Sequence, residues 1–208
     1  MYTPDAFRMA SVADCHAWMR QHSFATLVTP VSGHPPAITH LPLMVDAEQD
    51  EFGVLRGHVA RANPHWREFA ASASSVAIFQ GPHAYISPRW YAAKVAVPTW
   101  NYVAVHAHGR PEIVDDPGEV RAFLEQLAER YESGSEPWRV AELPREVYRE
   151  LSAGIVCFSM VIDRLEGKAK LGQNRSAADQ AGLQAGLEGT GDPFAARLAH
   201  LSRDWPAV

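Results

Sequence analysis

The chain has 208 residues, 47% of them hydrophobic and 21% charged, and a formal net charge of −5. That length suits one ordinary domain burying roughly 70% of its unfolded surface without staples. The acidic balance argues against a broad electrostatic footprint for nucleic acid or an anionic membrane, though it leaves room for a local basic patch.

The N-terminal residues are polar, with no long apolar run, so neither a signal peptide nor a membrane span is expected and a cytoplasmic protein is. Ser11-x-x-Asp14 reads as a capping box opening a first helix, with Val12, Cys15 and Met19 at helical spacing and an end near Gln21–His22. Phe24–Thr29 is a short apolar, β-branched strand, and Pro30–Gly33 turns the chain. Pro36–Val45 alternates as one edge or bulged strand, with Thr39, Leu41 and Leu43 on one face and Ile38, His40 and Met44 on the other. An acidic turn at Asp46–Asp50 and a returning strand at Phe52–His58 complete a hairpin.

Asn63-Pro64 sets an N-cap before proline at the first helical position, so a short helix ending by Ser72 is expected. Ser75–Gln80 and Tyr85–Ser87 are extended, Ala92–Val97 is a loop, and Thr99–Gly109 is a long strand with Asn101, Val103, Val105 and Ala107 on one face. Asp116-Pro117-Gly118-Glu119 is the clearest helix start, followed by the apolar stripe Val120, Phe123, Leu124, Leu127 and Tyr131. A helix at Arg145–Ser152, a central strand at Ile155–Ile162 and two terminal helices follow. Six or more short antiparallel strands imply a barrel or sandwich with peripheral helices, and without a Gly-x-Gly-x-x-Gly turn a Rossmann fold is excluded.

The stretch Gly57–Trp66 is the most informative for chemistry. A helix N-terminus presents unpaired N–H groups and the positive end of a dipole, and Arg61 and His58 are placed to add to an anion site there. A plain capped helix with a surface arginine accounts for the same residues. His106-x-His108 puts two imidazoles on one strand face, which suits a metal pair, a haem ligand or satisfied histidines. Tyr85, Trp90, Tyr91, Trp100 and Tyr102 suit core, an interface between copies, or stacking on a flat cofactor. Lys168–Arg175 is the one local basic run, either a solvated loop or a phosphate- or partner-facing one. There is no nucleophile elbow, and Cys157 lies in an apolar strand. Cys15 and Cys157 are far apart in sequence and read as buried thiols, and no Cys-x-x-Cys pair exists for a zinc site.

Four blocks in one order then resemble a known family: Gly57-His58 with Ala62–Trp66, Phe79–Ser87, Val97–Tyr102 and Lys170–Arg175. They resemble the PaiB family, FMN-binding split β-barrel proteins described as negative transcriptional regulators. The resemblance runs from Met1 to about Arg175, so residues 1–175 are expected to form the barrel domain and 176–208 a helical extension packed on it. It implies a cytoplasmic homodimer with FMN between subunits. Thr39, His40 and Leu41 would lie along the flavin ring. His58, Ala60, Arg61 and Asn63 would surround the phosphate. Asn101 would contact the ring, and Gln173, Asn174 and Arg175 would reach over from the partner subunit. One arginine and no lysine in the turn imply weakly held flavin. The expected function is transcriptional repression, acting on DNA directly or through another regulatory protein. A flavin-dependent oxidoreductase is the alternative, and haem binding through His106 or His108 a further one. No residue is assigned to catalysis or to a metal.

Overall fold

The computed structural model describes residues 1–205. In chain order its main elements are α1 (Val12–Gln21), β1 (Phe24–Thr29), β2 (Ala37–Pro42), β3 (Met44–Asp46), β4 (Val54–Ala60), β5 (Ser75–Ile86), β6 (Thr99–Gly109), β7 (Pro111–Val114), α2 (Pro117–Tyr131), α3 (Arg145–Ala153), β8 (Ile155–Val161), β9 (Arg164–Lys170), α4 (Ala177–Glu188) and α5 (Pro193–Asp204). The strands form two sheets, ordered β2-β1-β5-β6-β9 and β3-β4-β8-β7. The pairings of β1 with β2 and β5, and of β8 with β4 and β7, are antiparallel. The mainly β, helix-decorated architecture expected from the sequence is the one observed.

The described chain divides into two compact units, one of Met19–Ile78 with Ala107–Arg164, the other of Met1–Trp18, Phe79–His106 and residues 165–205. In the first, β1 buries Ala25, Leu27 and Thr29 on one face, as its alternation dictates. Strand β8 runs between β4 and β7 and buries Val156, Cys157, Phe158 and Met160, which explains why both of its faces are apolar. Gly57 lies tight beneath Leu43 and Phe158: a Cβ there would come within 2.5 Å of the Leu43 side chain. In the second unit, Asn101, Val103 and Val105 of β6 are buried together with Ile86, Leu183 and Leu198. Cys15 and Cys157 are free, buried thiols whose pKa burial pushes up to about 11.

Four elements differ from the sequence reading. Pro36–Val45 is two strands: β2 pairs with β1, and β3 pairs with β4 in the other sheet. The switch falls where Pro42 has no N–H to give the ladder and the Leu43 N–H turns to the Ser23 carbonyl, 2.9 Å away. The 64–68 segment is a 3-10 helix capped by Asn63, shorter than the expected helix. Ser75–Gln80 and Tyr85–Ser87 belong to the single long strand β5. Strand β9 went unread because its sequence, RLEGKAK, is charged, yet Lys168 and Ala169 are buried. Among the described residues no helix is long and apolar enough to cross a membrane.

Candidate functional site

The turn after β4 is held by a hydrogen-bond network centred on His65. Its imidazole is buried, with Nδ1 2.7 Å from the Thr39 hydroxyl and Nε2 2.8 Å from the Thr29 hydroxyl. The Thr29 hydroxyl in turn meets that of Ser75 at 2.7 Å. The Asn63 carboxamide is fully engaged: Oδ1 accepts from the His65 N–H at 3.0 Å and Nδ2 donates to Thr39 at 3.1 Å. Burial lowers the His65 pKa, against a smaller opposing influence of Glu68, so the ring is held neutral. Sequence reasoning passed over His65, although Asn63-Pro64-His65 placed it in the motif.

Arg61 opens this turn, directly after β4. Its Nε donates to the Ala153 carbonyl at 2.7 Å and its Nη2 to the Ile155 carbonyl at 2.8 Å. The guanidinium therefore bridges the end of α3 and the start of β8, and an anion at Arg61 would compete with two carbonyls. His58 faces α2, its ring edge-on to Phe123 at 6.0 Å, apart from the Asn63–His65 network. Ala60 is exposed at the end of β4. On β2, Thr39 joins the His65 network, Leu41 is buried, and the exposed His40 takes its Nδ1 to the Thr26 hydroxyl at 2.9 Å. Thus Thr39 and Asn63 come together, while His58 and Arg61 serve other contacts.

The second unit carries a different kind of site. Asn101, 1% exposed, has a side-chain Nδ2 with no hydrogen-bond partner, the kind of orphaned donor that native cores seldom tolerate. It lines a cavity of about 120 Å³ with Thr99, Lys170, Gly172, Asn174 and Arg175. The Lys170 ammonium donates to the Thr99 hydroxyl. Burial first, and then the charges of Lys168 and Arg175, lower its pKa. The Arg175 guanidinium lies over the Tyr91 ring, 4.6 Å from its centroid. Gly172, at φ +87°, turns the chain beside Asn101 in a conformation that glycine adopts without strain. Gln173 braces this loop from within: its Oε1 accepts from the Leu171 N–H at 2.9 Å and its Nε2 donates to the Ala169 carbonyl at 2.6 Å. Of the expected residues, Asn101, Asn174 and Arg175 meet at this cavity, and Lys170 is a cation the residue-by-residue transfer left out.

Of the two candidate haem or metal histidines, His108 has a partner on one ring nitrogen. His108 Nδ1 lies 3.0 Å from Nη2 of Arg164, a pure donor, so that nitrogen acts as an acceptor.

Two mainly antiparallel sheets with peripheral helices define the class, a split β-barrel. A family model described as "Putative FMN-binding domain" matches residues 1–164, and the chain belongs to that family. It is 35% identical over 205 residues to "Protease synthase and sporulation protein PAI 2" of Bacillus subtilis, covering 98% of this chain and 97% of that one. It is also 29% identical to an uncharacterised protein of Emericella nidulans, over 80% of each chain. Among solved structures, the FAD and heme binding protein of Mycobacterium smegmatis shares the fold at TM-score 0.58 and 19% identity, over 78% of this chain and 73% of that one. The resemblance read from the four sequence blocks is thus confirmed at the level of family and fold.

Proposed function

We propose that this protein is an FMN-binding regulator of the PaiB type, acting in the cytoplasm, with the acceptor-rich end of the flavin held at the Asn101 cavity. One observation carries the placement: the buried, partnerless Asn101 amide faces the same small cavity as Lys170, Asn174 and Arg175. The space admits only one end of a flavin nucleotide. The donors there suit a phosphate or the ring carbonyls, since an amide N–H and two cations all donate. These residues fit the cofactor, because each offers what an electron-rich oxygen needs. When bound, the flavin supplies redox chemistry, and the chain supplies donors and orientation. Residues 176–208 remain the proposed extension of the barrel domain.

The acceptor at this cavity is testable with two ligands. FMN and riboflavin share the ring and differ in the phosphate. Fluorescence quenching should show both binding the native chain, and Lys170→Met and Arg175→Met weakening FMN about tenfold, as loss of a charge-assisted hydrogen bond does. If riboflavin falls in step, the cavity reads the ring; if it does not, the cavity reads the phosphate. Unchanged affinity for both ligands in both variants would overturn the placement.

The regulatory role rests on the family and on the B. subtilis relative. The net charge of −5 favours action through a partner protein over broad contact with DNA. A second copy of the chain is the other proposed partner. Phe24 and Ile38 share one face of the β1–β2 ladder and are 68% and 56% exposed, more apolar surface than a lone edge strand ordinarily leaves in water.

A further inference from the structure

The apolar stripe of α2 does not disappear into a core. Only Phe123 of that helix is buried, while Leu124 and Leu127 are half-buried and Tyr131 is 51% exposed. Facing them, Trp138 and Leu151 are also exposed, at 42% and 58%. These side chains are gathered around one concavity of about 410 Å³ between α2, the 138–143 segment and α3. That volume falls within the range of small-molecule pockets, and an apolar lining with few polar groups is their usual character.

The pocket has a polar feature on its wall. His58 lines it, and its imidazole makes no hydrogen bond among the described residues; its one ring contact there is with Phe123. Burial lowers its pKa, so the imidazole there is neutral, with one N–H to give and one lone pair to accept. Among the described residues, the one charged side chain on the lining is that of Glu132. The nearby Arg121 guanidinium lies over the ring of Tyr148 and is not itself on the lining, so an anionic ligand, including a flavin phosphate, meets no cation on the pocket wall.

We propose that the pocket between α2 and α3 binds a neutral bicyclic or tricyclic aromatic molecule bearing one hydroxyl or N–H group, hydrogen-bonded to His58. The flat apolar body replaces water against Leu124, Leu127 and Tyr148, and the single polar group satisfies the imidazole. The site is built from different residues than the Asn101 cavity and stands whether or not the flavin reading does.

The test uses 2-naphthol and naphthalene as probes, followed by calorimetry on the full chain. 2-Naphthol should bind at one site per chain, about tenfold more tightly than naphthalene, the margin a single hydrogen bond provides. His58→Phe should erase that margin and leave naphthalene unchanged. Ala128→Trp, which fills the pocket, should abolish binding of both, and Leu151→Lys, at an exposed rim position, gives a second reading if the first variant does not fold. FMN titration of each variant should match the native chain. No saturable binding of 2-naphthol would overturn the proposal. So would equal loss of both probes in His58→Phe, unaltered binding in Ala128→Trp and Leu151→Lys, or sedimentation showing that Leu151→Lys splits a dimer that covers the pocket.

Discussion

The Thr39 hydroxyl lies 2.7 Å from Nδ1 of His65, and this contact ties the edge strand β2 to the turn that follows β4. The second ring nitrogen reaches Thr29 on β1, so one imidazole fastens two strands of one sheet to a turn leading out of the other. Thr29 also meets the Ser75 hydroxyl and Thr39 also accepts from Asn63, so the imidazole joins two side-chain pairs into one network. The histidine is therefore the rigid centre of the local fold.

From that position follows a pH dependence of stability. Burial lowers the folded His65 pKa below its ordinary 6.5. As pH falls through that ordinary value, the unfolded ring takes up a proton that the folded ring resists, so the unfolded state binds more protons and stability drops. His58 is shifted in the same direction and adds to the loss. Urea unfolding at about pH 7.5 and about pH 5.5 should show a lower midpoint at the acid value. In His65→Gln the difference between the two midpoints should shrink, although the variant is less stable throughout by about 1–3 kcal/mol from unpaired hydroxyls.

Arg61 gives a prediction that separates structure from ligand binding. Its two side-chain bonds to the Ala153 and Ile155 carbonyls hold the end of α3 against β8. Arg61→Ala should cost about 1 kcal/mol, the net worth of such bonds at an exposed site, read as a drop in the urea midpoint. FMN affinity should change less in this variant than in Lys170→Met. The reverse ranking would return the phosphate to the turn after β4.

The sequence made much of this fold readable because local signals and tertiary demands agreed. The bounds of β1 and β6 follow directly from their residues, and Asp116 caps α2, accepting from the Gly118 and Glu119 N–H groups at 2.9 Å each. Strand β9 escaped because lysine was read as solvated, whereas the Lys168 stem is buried and its ammonium finds the Tyr2 carbonyl at 3.0 Å. The candidate site was half legible for a similar reason. Side-chain type locates Arg61 and Asn63 near a helix start, but only coordinates reveal that internal partners already engage them. Asn101 is the opposite case: pattern placed it on a buried face, and only the structure shows its amide without a partner.

Glycine in α4 yields a change whose sign opposes helix propensity. Alanine is favoured over glycine inside a helix by about 1 kcal/mol. At Gly182, however, a Cβ would sit 1.9 Å from the Trp90 carbonyl oxygen, and at Gly186 2.2 Å from the Trp90 ring. Backbone cannot retreat as a side chain end can, so α4 must move off the 88–90 turn. Gly182→Ala should therefore be destabilising by about 1–3 kcal/mol, the usual cost of overpacking. Thermal unfolding compared with Ala185→Gly, a propensity loss without a clash, checks the argument.

The exposed face of β1 and β2 leads to the last prediction. Val28 pairs with Ile38 and Thr26 with His40 in the ladder, and the Phe24 and His40 rings stack at 6.5 Å, so these side chains share one face. The opposite face carries Ala25, Leu27 and Leu41 into the core. A charge on the outer face therefore leaves the core intact, and substitution there should shift monomer stability by no more than about 0.5 kcal/mol. If a second copy covers this face, Ile38→Asp buries an unpaired carboxylate at the interface, a cost that association cannot absorb. Sedimentation should then show the native chain as a dimer and Ile38→Asp as a folded monomer with unchanged far-UV circular dichroism. A native chain that sediments as a monomer at every concentration, or a variant that stays dimeric, would remove this face from the proposed assembly.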